Sequence, residues 1–283
     1  MKIFTLSSAL IFALSVLASA CDQSQESEMG LQLYAMDCGS IDVDDMSSFS
    51  SDGTFDGQQY SLVVPCYLIR HSKGDLLWDT GFDQSLIETP DGLRGGGFHS
   101  TVSVRLTDQL QMLGLDPDDI DYVSVSHSHP DHIGNAGLFK KSTFVISAAE
   151  FSYMFSDEAR GNAERIAPYA HLESADVIKY DEEYDLFGDG LVVMKTLPGH
   201  TPGSAILQLT LENAGVVLLT GDLITHAAGR DVGAIPAFNT DIEKTRSSLV
   251  RFEELANAKD ARVIIQHEPA DFEALPIFPS WLD

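Results

Sequence analysis

The residues best equipped for chemistry lie in one short run, His127-Ser128-His129-Pro130-Asp131-His132, placed directly after the alternating stretch Asp121-Tyr122-Val123-Ser124-Val125-Ser126. Three imidazoles and a carboxylate within six residues are the donor types that zinc and similar divalent ions take. On an extended chain alternate residues share a face, so His127 and His129 point the same way. Pro130 then turns the chain and lets Asp131 and His132 aim elsewhere. One tetrahedral ion does not accommodate four side chains from so short a segment, whereas two adjacent ions can share them. A lone histidine on a strand is ordinarily a satisfied core or surface residue. Four potential ligands in six positions at a strand end are not explained that way.

Three further polar residues have the same kind of placement. His200 stands in Thr196-Leu197-Pro198-Gly199-His200-Thr201-Pro202-Gly203, where Gly199 and Gly203 permit a tight loop after a strand. Asp222 ends the apolar run Val216-Val217-Leu218-Leu219-Thr220-Gly221, and His267 ends Arg262-Val263-Ile264-Ile265-Gln266. Each is a side chain that a buried strand delivers to a sheet edge, which argues for one convergent site.

The elements that must position these residues are strand-rich. Strands are expected at 31–39, at 61–71 and 75–81 around the turn Ser72-Lys73-Gly74, and at 121–126 and 143–147. More are expected at 175–180, 190–197, 204–211 and 215–220, with 261–267 as a buried closing strand. Val104, Leu106, Leu110 and Leu113 have helical spacing and stop at Gly114; further helices are expected through 148–155 and at about 241–258, capped by Thr240 or Asp241. Residues 40–60 and the glycine-rich 83–99 read as loops. His71, His99 and His171 join no constellation and are expected on the surface. Interleaved but strand-heavy elements point to an α/β protein with helices packed outside sheets, one domain over 30–283.

The chain is long enough for one substantial core, with 283 residues of which 44% are hydrophobic. Its 43 acidic against 17 basic residues give a net charge of −26, which repels phosphate backbones and argues against nucleic acid as a partner. The N-terminus, Met1-Lys2 followed by an apolar run to Ala20, is too short and too rich in hydroxyls for a membrane span and reads as a signal peptide over 1–20. Its end, Leu17-Ala18-Ser19-Ala20-Cys21, followed by a polar linker over 21–29, is similar to a bacterial lipoprotein signal. That likeness implies export, with Cys21 lipidated and the only contact with a membrane, or simple cleavage into the periplasm. Cys38 and Cys66 either pair in an oxidising compartment or are small buried residues.

Taken together, His127-x-His129-x-Asp131-His132, His200, Asp222 and His267, with Leu76-Leu77-Trp78-Asp79-Thr80-Gly81 upstream, resemble the metallo-β-lactamase superfamily. The resemblance implies an αβ/βα sandwich, two mixed sheets with helices outside, that holds two Zn2+ or similar ions at one edge. One ion would take His127, His129 and His200, the other Asp131, His132 and His267. Asp222 would bridge them, and Asp79 would orient a ligand histidine. Within the superfamily the stretches around residues 64–82, 113–135 and 264–283 look like the N-acyl-homoserine lactone lactonases. That implies quorum quenching through opening of a lactone ring by a metal-bridging hydroxide, with Asp131 and Asp222 catalytic. Alternatives are a broader lactonase or esterase, an organophosphate hydrolase, or a non-catalytic zinc-binding surface lipoprotein. Phe49, Phe55, Leu86, Ile87 and Phe98 either line a groove for an acyl tail or pack their own loops. One departure is visible: where many of these lactonases carry a tyrosine three residues after the bridging aspartate, this chain has Thr225, followed by His226. His226 either substitutes as a donor to the substrate or is a solvated loop residue, and the second is the expectation for an isolated histidine.

Overall fold

Along the hairpin that ends at Asp79, successive side chains go to opposite cores: Leu68 and Leu77 face one, Ile69, Leu76 and Trp78 the other. That period of two, apolar on both faces, is the pattern of a central strand covered on both sides. The computed structural model describes residues 30–283 together with Met1. The expected signal segment, Cys21 and the expected linker to residue 29 lie outside the described residues.

The first sheet contains β1 (Gln32–Val43), β2 (Tyr60–His71), β3 (Gly74–Trp78), β4 (Leu93–Gly95), β5 (Phe98–Thr101), β6 (Tyr122–Ser124), β7 (Thr143–Ser147) and β8 (Val177–Tyr180). The second contains β9 (Glu183–Asp185), β10 (Val192–Thr196), β11 (Ala205–Leu211), β12 (Gly215–Leu219) and β13 (Arg262–Ile264). The orders are β4-β5-β1-β2-β3-β6-β7-β8 and β13-β12-β11-β10-β9. Both sheets are mixed, because β3, β6, β7 and β8 run parallel in the first and β12 and β13 in the second. Trp78, Tyr67 and Ile69 meet Met194, Leu207 and Leu219 between the sheets. Helices cover the outer faces. Leu106 and Leu110 of α1 (Leu106–Met112) pack with Leu68 and Val123, and Phe252 and Ala256 of a long helix at Ile242–Lys259 pack on Ile206 and Leu218. The long helix starts at Asp241, whose side chain accepts from the Lys244 N–H.

The two expected loops contain structure. β1 continues to Val43 across an irregularity between Asp37 and Ser40, and its end pairs with both β2 and β5 while Ile41 and Val43 point inward. Leu93–Gly95 and Phe98–Thr101 form an edge hairpin turned by Gly96 and Gly97, both at positive φ. The closing strand is shorter than expected: Arg262–Ile264 is the edge of its sheet, and Arg262 and Val263 are half-buried. His71 is buried, not on the surface. Its ring stacks on Phe187 with centroids 4.1 Å apart, and Nε2 lies 3.1 Å from Asp189. His99 and His171 are half-buried.

Cys38 and Cys66 form a disulfide between β1 and β2, spanning 28 residues. Closing a loop of that size removes unfolded-state entropy worth about 3.5 kcal/mol. A Cys38→Ser/Cys66→Ser chain, or the reduced wild type, should lose stability of that order in a denaturant titration; an unchanged midpoint would show that the bond carries no stabilisation.

Candidate metal centre

Every residue of the constellation sits just beyond the C-terminal end of a strand or in a turn beside one. β6 leads into Ser126 and His127, and a four-residue helix, α2 (Pro130–Ile133), with proline in its first turn, reverses the chain between His129 and His132. His200 is in the connection from β10 to β11, Asp222 in a short turn at Gly221–Leu223 after β12, and His267 after β13. β3 and β6 are parallel neighbours, as are β12 and β13, so each pair ends on one side of its own sheet, and the clustering of the side chains shows that these two sides coincide. This is where open α/β sheets place their ligands.

The side chains converge as two groups, His127, His129, His200 with Asp222, and Asp131, His132 with His267; within each, one donor atom per residue lies within 4.8 Å of the others. His200 Nε2 is 3.0 Å from His127 Nε2 and 3.0 Å from His129 Nδ1. Asp222 spans the groups: Oδ2 lies 3.3 Å from His200 Nε2, while Oδ1 lies 2.9 Å from His267 Nε2 and 3.2 Å from His132 Nε2. Asp131 Oδ2 closes the second group at 3.5 Å from His132 Nε2 and 3.6 Å from His267 Nε2.

Hydrogen bonds on the far side of the rings decide which nitrogen faces inward. His267 Nδ1 donates to the Val63 carbonyl at 2.7 Å, and His200 Nδ1 bonds Asn239 Oδ1 at 2.9 Å. In a neutral ring that leaves the Nε2 lone pair directed at the centre. His132 Nδ1 is 3.0 Å from Asp79 Oδ2, and its Nε2, although buried, has no hydrogen-bond partner among the described residues. Imidazole nitrogens that face one another, on rings such as His132, His200 and His267 whose other nitrogen is already engaged, are a ligand set for a cation. A mixed set of five histidines and two aspartates suits zinc or a related transition metal.

Electrostatics divide the histidines. Burial, then His132 and His200, push His127 far down, and burial with His200 pushes His129 to about 3. Burial works against protonation of His132 and His267 too, but the carboxylates override it: Asp131 and Asp222 hold His132 well above its ordinary value, and Asp222 raises His267. In return, and against burial, His132 and His267 hold Asp131 at about 2, and His267 with His132 keeps Asp222 far below the carboxylate range. In the metal-free chain, protons on His132 and His267 therefore supply the positive charge that the two aspartates need.

A model of the metallo-beta-lactamase superfamily matches residues 61–267, which contain all seven of these residues. The chain belongs to the metallo-beta-lactamase superfamily. Curated relatives include the N-acyl homoserine lactonase AttM of Azorhizobium caulinodans, 29% identical over 89% of this chain and 99% of that one. An N-acyl homoserine lactonase of a Bacillus species is 28% identical over 89% of this chain and 98% of that one. Among solved structures, an N-acyl homoserine lactone hydrolase with the product N-hexanoyl-L-homoserine bound at its catalytic metal centre superposes with a TM-score of 0.76 at 25% identity, covering 90% of this chain and all of that one.

In this member of the metallo-beta-lactamase superfamily Asp79 is a buried hub. Its Oδ1 accepts from the Ser126 N–H at 2.6 Å, and its Oδ2 accepts from Ser126 Oγ, Gln266 Nε2 and His132 Nδ1. One carboxylate thereby ties β3 to the segments that carry His127, His132 and His267. The glycine that follows Asp79-Thr80 has a steric reason: at Gly81, which has a φ of 67°, a Cβ would collide with the Cys38 Cβ. Two contributors, Gln266 and Asn239, stand outside the sequence motifs. Gln266 has a local signal, since it adjoins His267; Asn239, 39 residues from the ring it contacts, has none.

The metal ligands open into a groove of about 540 Å³, whose lining includes Phe49, Leu62, Phe82, Phe98, Thr225 and Phe238. Phe55, Leu86 and Ile87 do not line it. His226 is not a solvated loop residue. It is buried as the cap of a short helix at Ala227–Val232, and its ring packs against Phe55 and Tyr60 with centroids 4.8 and 5.7 Å away. Its Nδ1 is 3.0 Å from Thr225 Oγ1, so it backs Thr225 instead of facing the groove.

Metal loading must displace the protons on His132 and His267. Both groups are raised, so they keep their protons to higher pH than a free imidazole does, and metal affinity grows as pH rises through their values and falls below them. Elemental analysis should find two transition-metal ions per chain, and calorimetry in buffers of different ionisation enthalpy should detect proton release on loading. One ion per chain, or loading without proton release, would contradict this account.

Proposed function

We propose that the protein hydrolyses the lactone ring of N-acyl-homoserine lactones, and the observation that carries this reading is a two-metal ligand set opening directly into an apolar groove. Two divalent ions so held supply a water of lowered pKa and polarise a carbonyl oxygen. The protein's residues do the rest. Phe49, Phe82, Phe98 and Phe238 exclude water and offer an acyl chain an apolar wall. Thr225 Oγ1, held by His226, offers a hydroxyl to a carbonyl of the substrate. Asp131, partly exposed where the groove meets the ligands, accepts the proton of the attacking water and returns it to the ring oxygen as the ester bond breaks. Water adds to the carbonyl carbon, the ring oxygen leaves as a hydroxyl, and the product is an open-chain carboxylate with one proton released.

That proton makes the reaction visible. In a pH-stat, a panel of acyl-homoserine lactones, simple esters and phosphotriesters should show the lactones as the best substrates. Thr225→Val should lower kcat/KM by about tenfold with metal content unchanged, as expected for one lost hydrogen bond to substrate, and Thr225→Ser should recover most of it. A panel in which phosphotriesters are turned over and no acyl-homoserine lactone is opened would replace this reading with that of an organophosphate hydrolase.

We also infer that the protein works outside the cytoplasm, released into the periplasm after residue 20 or anchored by lipid at Cys21. The Cys38–Cys66 disulfide supports this, because such bonds persist in oxidising compartments. Cell fractionation with radiolabelled palmitate should find the chain outside the inner membrane, labelled only if Cys21 is present; cytoplasmic protein beginning at Met1 would refute export.

A further inference from the structure

Asp79 reaches both metal groups, through Ser126 beside His127 and through His132, but a second buried carboxylate, which belongs to no motif, serves the first group alone. Glu150 lies in α3 (Ala148–Met154), which follows β7, and its side chain is fully buried. Among the described residues no lysine or arginine pairs with it. A buried carboxylate without a cation has to be satisfied by hydrogen bonds, and this one accepts four. Oε1 takes the Ser128 N–H at 2.9 Å and Ser128 Oγ at 2.7 Å. Oε2 takes Thr201 Oγ1 at 2.7 Å and the Gly203 N–H at 3.1 Å.

The division between the two oxygens matters. Ser128 is the residue between His127 and His129, and Thr201 is the residue after His200. One oxygen therefore holds the loop of the first sheet that carries two ligands, and the other holds the loop of the second sheet that carries the third. A single carboxylate thus spans the two loops that bring the three imidazoles together. Ser147 reinforces it, accepting from the Glu150 N–H at 3.1 Å and donating to the Gly203 carbonyl at 2.7 Å. Gly203 is required by this closeness: a Cβ there would collide with the Glu150 backbone nitrogen. None of these bonds reaches Asp131, His132 or His267; His132 is held by Asp79 and His267 by the Val63 carbonyl.

We infer that Glu150 is the positioning residue for the His127, His129 and His200 group, and that it sets the affinity of that metal site without setting that of its neighbour. Glutamine at this position keeps the shape but turns an NH2 towards two donors, of which the backbone N–H cannot reverse its role.

The inference rests on the two-metal reading, for which wild-type chain binding two equivalents is the control; fewer than two would fault that reading itself. Metal-free Glu150→Gln titrated with Zn2+ against a chromophoric chelator should bind one equivalent about 10- to 100-fold more weakly, the loss typical of a partner that orients a ligand, and the other normally. In a His129→Ala background, which disables the first site, adding Glu150→Gln should change the remaining equivalent by no more than about twofold, whereas adding Asp79→Asn should weaken it. If Glu150→Gln does not fold, Thr201→Val, which deletes one of the four bonds and keeps the shape, should weaken the same equivalent by about tenfold. Equal weakening of both equivalents, or no change in either, would overturn the assignment.

Discussion

Inward-facing nitrogens of five histidines and the carboxylates of two aspartates meet in a space largely closed to water, and the rest of the molecule is arranged to make that tolerable. Desolvation opposes charge on every one of these groups, yet two carboxylates are there and need positive charge beside them. Without metal the need is met by protons on His132 and His267. With metal it is met by the ions, whose donors are already aimed. The cluster is this dense because the one segment after β6, which brings four members, meets His200, Asp222 and His267 arriving from three other connections.

Rigidity comes from the far side of the ligands. His132 is tied to Asp79, His200 to Asn239 and His267 to the Val63 carbonyl, so each ring has one engaged nitrogen and one free for the centre. Asp79 and Glu150 act at a larger scale, each drawing together segments that lie far apart in sequence. Both are buried carboxylates whose hydrogen bonds run to loops instead of to lysine or arginine. They hold positions without adding a competing cation near the metals.

Much of this was legible in the sequence, because strands covered on both faces write themselves as apolar runs and the ligands sit at their ends. Leu76-Leu77-Trp78-Asp79 is such a run, an apolar strand closing on one carboxylate. The edge structure was less legible. The end of β1 and the whole of β4 and β5 are short, rich in serine and glycine, and paired only through partners elsewhere, so their composition reads as loop. His226 misled for a related reason. An isolated histidine beside Thr225 carries no local sign that Phe49, Phe55 and Tyr60, far earlier in the chain, will fold over it.

The two-sheet class and the departure at Thr225 came through a family resemblance; by itself the sequence determined the donor set and the strand-end placement of each donor. These are local properties, set by residue type and by the period of two along a strand. Tertiary structure alone decided that Cys38 and Cys66 pair, which nitrogen of each ring faces inward, that Phe98 lines the groove while Phe55 backs His226, and that Glu150 clamps two loops. Those outcomes depend on distances between residues far apart in the chain. Such distances follow from strand order and from how two sheets pack, and a linear pattern of residue types does not encode them in any single stretch.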